Sequence, residues 1–153
     1  MMTARGPQVL EFNARFGDPE TQAILLRLES DLVEALEASI DGRLDQVELR
    51  WSPGAAASVV ASSAGYPGSY KTGFAITGLH EAGRVPGVQV FHSGSALKDG
   101  QIVTAGGRVL GVTAVAESLQ EALGRAYEAM DEIHFEGIYC RRDIGHRALR
   151  RKA

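Results

Sequence analysis

Between Val47 and about Ala116, Gly, Pro and Ser cut this chain into short apolar runs, and a strongly patterned helix follows at once. Val47, Leu49 and Trp51 alternate with Glu48 and Arg50, which is the period-two pattern of a half-buried strand. Ser58–Ser62, Phe74–Ile76, Val88–Phe91, Gln101–Thr104 and Arg108–Val115 are further strand segments. Gly65-Tyr66-Pro67-Gly68 and Gly106-Gly107 are turns between them. Turn signals at this density predict a compact β-sandwich or barrel-like unit. Ser118 and Glu121 then have the spacing of a capping box. Leu119, Ala122, Leu123, Ala126, Tyr127, Met130 and Ile133 recur at three- and four-residue intervals, so one helix is expected to lie over the strands. The fold class is α+β.

Upstream the period changes. Ile24, Leu25 and Leu28 form one apolar stripe at helical spacing, and Leu32, Val33, Leu36 and Ile40 form a second. Ser30 or Asp31 is placed to cap the second helix, and Gly42 to stop it.

Composition excludes several roles. A formal net charge of −3 argues against general nucleic-acid affinity. The basic tail Arg141, Arg142, Arg147, Arg150, Arg151 and Lys152 is interrupted by Asp143 and Ile144, and reads as a solvated terminal segment. No run approaches the ~20 apolar residues of a membrane span, and no signal-peptide pattern is visible. The single cysteine, Cys140, has no partner for an internal disulfide and reads as a half-buried structural thiol. The expected compartment is cytoplasmic. His80, His92, His134 and His146 show no metal-ligand spacing.

Chemistry concentrates in Val9–Gln22, V-L-E-F-N-A-R-F-G-D-P-E-T-Q. On a strand, Val9, Glu11, Asn13 and Arg15 would share one face, with Leu10, Phe12, Ala14 and Phe16 buried on the other. Glu11 and Asn13 are hard oxygen donors of the kind Mg²⁺ accepts alongside substrate phosphates. Arg15 offers a planar fork to a phosphate or carboxylate. Gly17 permits a tight turn, and Asp18-Pro19 puts an acidic acceptor before a proline at the first helical position. An amphipathic edge strand with a solvated polar face would explain the same alternation.

The longer string R-F-G-D-P-E-T-Q-A-I, from Arg15 to Ile24, resembles the signature of the phosphoribosylamine–glycine ligase (glycinamide ribonucleotide synthetase) family. E-F-N before it is similar to the metal-binding strand of the ATP-grasp superfamily, to which that family belongs. Further segments resemble the family's C-terminal half in order: S-D-L-V-E-A-L from Ser30, G-Y-P-G from Gly65, V-F-H-S-G from Val90, G-G-R-V-L-G-V-T-A from Gly106 and Y-C-R-R-D-I-G-H-R-A from Tyr139. The resemblance implies residues 1–45 as the end of an ATP-grasp domain and 46–153 as the synthetase C-terminal domain, a small β-rich unit with a packed helix. It also implies an N-terminal domain and most of the ATP-grasp domain upstream, with Met1 and Met2 in a strand and Thr3–Pro7 as a hairpin turn. On that reading the chain is a fragment, inactive by itself.

The implied reaction joins glycine to 5-phosphoribosylamine at the expense of ATP, with glycyl phosphate as intermediate. Glu11 and Asn13 would hold Mg²⁺ or Mn²⁺ at the nucleotide phosphates. Arg15 would hold a phosphate or the activated carboxylate, and Asp18 the glycine ammonium or the amine substrate. ATP, glycine, phosphoribosylamine and a separately encoded N-terminal piece of the ligase are the expected partners, with no nucleic acid and no membrane. Substrate contact from His92 or Ser95 is a further option. The alternative is a non-catalytic β-sandwich binding or interaction module. A carrier role within that class would need a modifiable lysine at a hairpin tip, and Lys71 and Lys98 lack the methionine flanks of a biotin carrier.

Overall fold

The computed structural model describes residues 1–12 and 14–150. Asn13 and the last three residues, Arg151 and Lys152 among them, lie outside the described residues. Two short strands, β1 (Met2–Thr3) and β2 (Gly6–Pro7), form a hairpin that closes where the Gln8 N–H meets the Met1 carbonyl at 2.9 Å. Helix α1 (Glu20–Leu25) and helix α2 (Leu32–Ile40) follow. The Asp31 carboxylate caps α2 by accepting from the Val33 N–H at 2.7 Å, and Gly42 ends it with a positive φ.

The larger unit is built on β3 (Ala55–Ser63), α3 (Leu79–Ala82), β4 (Val88–His92), β5 (Ser95–Lys98), β6 (Gln101–Thr104), β7 (Arg108–Ala116), α4 (Leu119–Glu132) and β8 (Ile138–Tyr139). A short helix, α5 (His146–Arg150), closes the described chain. Strands β4, β7, β3 and β8 make one antiparallel sheet in that order, and β5 pairs with β6 in a separate hairpin. The four-stranded order is open, with β4 and β8 at its edges. The strands therefore form a sheet with a helix across it and do not close into the barrel-like unit expected from their turns.

Pairing in β3 and β7 assigns the faces. Ala57, Val59 and Ala61 stand opposite Ala114, Val112 and Leu110; all but Ala57 join Ala126, Ala129, Met130 and Ile133 of the α4 segment in the main core, and Ala57 packs with Ala116, Ala122 and Leu123 in a smaller cluster. Alanines on the helix allow close approach, while Leu110, Met130 and Ile133 fill the volume. The Ser118 hydroxyl accepts from the Glu121 N–H at 3.2 Å, so the capping-box serine starts α4 as expected. The opposite face of β3 carries Ser58, Val60 and Ser62, and it faces α1 and the loop before it.

A bulge interrupts β3 and β7. Ala61 pairs with Leu110, but Ser62 pairs with Arg108, leaving Val109 as the extra residue. Without it, Arg108 would share the helix-covered face of Leu110. The bulge turns Arg108 to the serine face.

Several expectations fail in the first third of the chain. Val9–Phe12 and Ala14–Phe16 are not a strand, and Leu10, Phe12, Ala14 and Phe16 are not buried: Leu10 is 73% exposed and Phe12 is 89% exposed. The cause is the lack of a partner. Pairing stops at Gln8, and among the described residues no strand edge is offered to the segment beyond it. Pro19 sits one residue before α1, after a cis Asp18–Pro19 bond, and not inside the helix. Val47–Arg50 is not a strand either; Trp51 makes only an isolated bridge to Leu28. On α2 the buried residues are Ala35 and Ala38, while Val33, Leu36 and Ile40 of the apolar stripe face outward.

Candidate functional site

Glu11, Arg15 and Asp18 all lie on the irregular segment between β2 and α1. Glu11 is exposed, and no hydrogen bond or ion pair engages its carboxylate among the described residues. Arg15 folds back on its own loop, with Nη1 donating to the Phe16 carbonyl at 2.9 Å, and among the described residues nothing else engages its guanidinium. Asp18 is the best anchored. Its Oδ1 accepts from Gln22 Nε2 at 2.8 Å, one turn into α1. Its backbone carbonyl accepts from Arg108 Nη1 at 2.7 Å, and its Oδ2 lies 3.7 Å from Arg108 Nη2. Thr21 adds a hydroxyl bond to the Gly17 carbonyl and a backbone bond to the same atom, which fixes the turn into α1.

The loop is thus held against the serine face of the sheet. Between them lies a cavity of about 270 Å³, bounded by Pro19, Ser62, Tyr66, Arg108, Tyr139 and Arg141. Neither arginine was a candidate on sequence grounds. Arg108 stood in a glycine-flanked strand, and Arg141 in a tail read as solvated. The tail is solvated, and it is also organised by ion pairs and stacking. Arg141 grips Asp143 with Nε and Nη2 at 2.9 and 2.8 Å, and Arg142 pairs with Asp131 while stacking over the Tyr127 ring. Those two hydrogen bonds hold the Asp143 carboxyl below its ordinary range and raise the Arg141 guanidinium. The Tyr127 hydroxyl donates to the Arg141 carbonyl at 2.9 Å and accepts from the Ile144 N–H at 3.2 Å, which pins the tail to α4.

The two glycine turns are neighbours. The Ser63 N–H and hydroxyl donate to the Gly107 and Gly106 carbonyls at 2.8 and 2.9 Å. Gly107 lies so close to the rings of Tyr66 and Tyr70 that a β-carbon there would displace them. Neither turn opens a helix, so they act as packing turns that position Tyr66. His92 Nδ1 and Ser95 Oγ meet each other at 2.7 Å at the surface, and no hydrogen bond among the described residues joins either side chain to the Asp18 loop. Cys140 is half-buried against the core, as expected. Among the described residues no group of three or more His, Cys, Asp or Glu side chains converges on one point. Among the described residues no helix is long and apolar enough to cross a membrane.

With this geometry in place, similarity to known proteins becomes informative. Residues 56–147 match the family described as phosphoribosylglycinamide synthetase, C domain. A phosphoribosylamine–glycine ligase of Chlorobaculum tepidum is 55% identical over 143 residues, 94% of this chain and 34% of its own length. That of Caldanaerobacter subterraneus subsp. tengcongensis is 53% identical over 144 residues, with the same two coverages. The crystal structure of the Thermotoga maritima ligase superimposes with a TM-score of 0.67 at 36% identity, covering 94% of this chain and 34% of that one. The chain therefore spans about a third of the length of these relatives.

Proposed function

The chain belongs to the phosphoribosylamine–glycine ligase family, as its C-terminal portion, and from this we propose that it serves the ligation of glycine to 5-phosphoribosylamine. The observation that carries this reading is the Arg108–Asp18 contact, which seats the R-F-G-D-P-E loop on the sheet of the C-terminal unit. On this reading residues 1–45 complete an ATP-grasp domain and residues 46–153 form the C-terminal domain.

Glycine's carboxylate is a poor electrophile, because direct attack would have to expel oxide. Its oxygen first attacks the γ-phosphorus of ATP, and ADP leaves. The amine of phosphoribosylamine then attacks the acyl carbon of glycyl phosphate, and phosphate leaves. Glu11 is an exposed carboxylate with no partner among the described residues and so fits a divalent cation, with the amide oxygen of Asn13 proposed as its companion. When bound, Mg²⁺ or Mn²⁺ offsets charge on the phosphoryl group in flight. Arg15 keeps guanidinium protons free for a phosphate or the activated carboxylate. Asp18, held by Gln22 and Arg108, is oriented to accept from an ammonium or amine.

The rest of the ligase is a required partner on this reading. Val9, Leu10, Phe12, Phe16, Val33 and Ile40 all present apolar surface that a partner would cover. The working compartment is the cytoplasm. The test supplies this chain with the N-terminal part of a relative and follows formation of ADP and glycinamide ribonucleotide. Turnover that needs this chain and vanishes with Glu11→Gln supports the proposal. Turnover indifferent to Glu11→Gln removes the metal assignment. A folded mixture that neither binds Mg²⁺-ATP by calorimetry nor turns over leaves the interaction-module alternative standing.

A further inference from the structure

A second cavity, of about 400 Å³, shares no lining residue with the one beside Asp18 and has the size of a small-molecule site. Three segments wall it: Ala64 just past β3, the loop 69–74, and the turn Glu136-Gly137 that leads into β8. Each wall is fixed by contacts of its own. The Gly73 N–H donates to the Thr104 carbonyl at 2.7 Å and the Phe74 N–H to the Thr104 hydroxyl at 3.1 Å, so the loop is anchored to β6. The Tyr70 ring is set against Gly107 and against Tyr66, with ring centroids 6.2 Å apart. Phe74 is half-buried against the main core. Gly137 approaches Ala64 so closely that a β-carbon on it would lie 2.9 Å from that of the alanine. The cavity is therefore largely formed before any ligand arrives.

Its charges are unspent. Lys71 and Glu136 bring an ammonium and a carboxylate to this one cavity from different segments. Both are exposed, and among the described residues neither side chain meets the other, or any other group, in a hydrogen bond or ion pair. On the tail, by contrast, opposite charges do close on each other, Arg141 on Asp143 and Arg142 on Asp131. Two opposite charges held apart on one concave surface complement a ligand that carries both. The aromatic rings of Tyr70 and Phe74 call for an apolar group on the same ligand, a flat one above all. We propose that this cavity binds a free α-amino acid with an aromatic side chain, its carboxylate toward Lys71, its ammonium toward Glu136 and its ring against Tyr70 and Phe74. A residue inside a peptide carries neither charge on its backbone, so the free amino acid is the match. The inference goes beyond the ligase reading and does not rest on it, since glycine has no side chain to offer the two rings.

The test uses the chain as it stands, without ATP or metal, so its failure is separate from failure of the ligase reaction. L-phenylalanine, 3-phenylpropanoate, 2-phenylethylamine and glycine are titrated separately while backbone amide NMR signals are followed. L-phenylalanine is expected to shift the amides of residues 64, 69–74 and 136–137 saturably. It should bind about tenfold or more tighter than either analogue lacking one charge, the scale of one charge-assisted hydrogen bond. Lys71→Met should reduce its affinity to that of 2-phenylethylamine, and Glu136→Gln to that of 3-phenylpropanoate. Both substitutions remove exposed charges and leave the core intact, which thermal melting profiles check; the analogue comparison stands even if a variant fails to fold. Absence of saturable shifts at those amides, or L-phenylalanine binding no tighter than its one-charge analogues, would overturn the site. Affinity unchanged in the two folded variants would remove Lys71 and Glu136 from it. Glycine binding as tightly as L-phenylalanine would overturn the aromatic assignment.

Discussion

Arg108 donates from Nη1 to the backbone carbonyl of Asp18 at 2.7 Å, joining residues 90 positions apart in sequence. The contact exists because a single extra residue, Val109, shifts the register of β7 against β3 and turns Arg108 to the other face of the sheet. It is one of the few bonds that tie the loop carrying Arg15 and Asp18 to the rest of the molecule.

Replacing Arg108 with Met keeps the aliphatic stem and removes the donors. The pair is exposed on both sides, so global stability is expected to fall by no more than about 1 kcal/mol. The loop should respond more strongly. Amide hydrogen exchange at Thr21 and its neighbours, protected now by the Thr21–Gly17 bond, is expected to accelerate in Arg108→Met. Unchanged exchange there would mean that the loop is held by α1 alone.

Helix α2 allows a sharp contrast. Leu36 points outward and Ala38 is fully buried, although both fall within the same helical turn. Leu36→Glu is expected to change the stability of this chain by less than about 0.5 kcal/mol. The same change should weaken association with the N-terminal part of a ligase, because it puts a charge on the surface to be covered. Ala38→Asp places a carboxylate in the packed side and is expected to cost about 2–4 kcal/mol. Urea denaturation measures both. A large loss in Leu36→Glu would show that this surface is already covered in the isolated chain.

These positions also show what the sequence could and could not reveal. Helix α4 was legible because its signals are local: a capping serine, then alanines and long apolar residues at helical spacing. Strands β3, β4, β6 and β7 were legible for a similar reason, since turns bracket them. The Val9–Arg15 segment carried an equally clean alternation and is not a strand, because a strand is completed by a neighbour's hydrogen bonds. The stripe on α2 is real, yet it marks a face that some partner could cover and not one already covered. The site arginines were hidden by different causes. Arg108 owes its direction to a bulge that periodicity does not report, and Arg141 owes its fixed position to Asp143, read earlier only as a break in a basic run.

The core around β7 sets the stability of the C-terminal unit. Leu110 and Met130 are among the largest fully buried side chains, one on the sheet and one on α4. Truncation of either to Ala is expected to cost about 2–5 kcal/mol, through lost transfer energy and a residual cavity. Leu97, on the β5–β6 hairpin and 72% exposed, is the control, with Leu97→Ala within about 0.5 kcal/mol. Equilibrium unfolding distinguishes them; comparable losses at Leu97 and Leu110 would contradict the layered core.

The Arg141–Asp143 pair makes a prediction about pH. Hydrogen bonds from Arg141 are the main cause that lowers the Asp143 carboxyl from its ordinary value, and nearby charge, including His146 with Nδ1 3.8 Å from Oδ2, acts in the same direction. The folded value is therefore below the unfolded one. A carboxyl of that kind contributes its stabilisation in full above the unfolded value, and the contribution is lost as pH falls through the folded value. The pair should thus be intact at neutral pH and weaken only on the acid side of the normal carboxylate range. A carboxyl carbon NMR titration of Asp143 is expected to give a midpoint below that range. In Arg141→Gln the midpoint should move upward, because the donor of both hydrogen bonds is gone. An Asp143 midpoint that is ordinary in the unsubstituted chain, or unmoved by Arg141→Gln, would show that the tail is not clamped by this pair, and that Arg141 is free to turn away from the cavity.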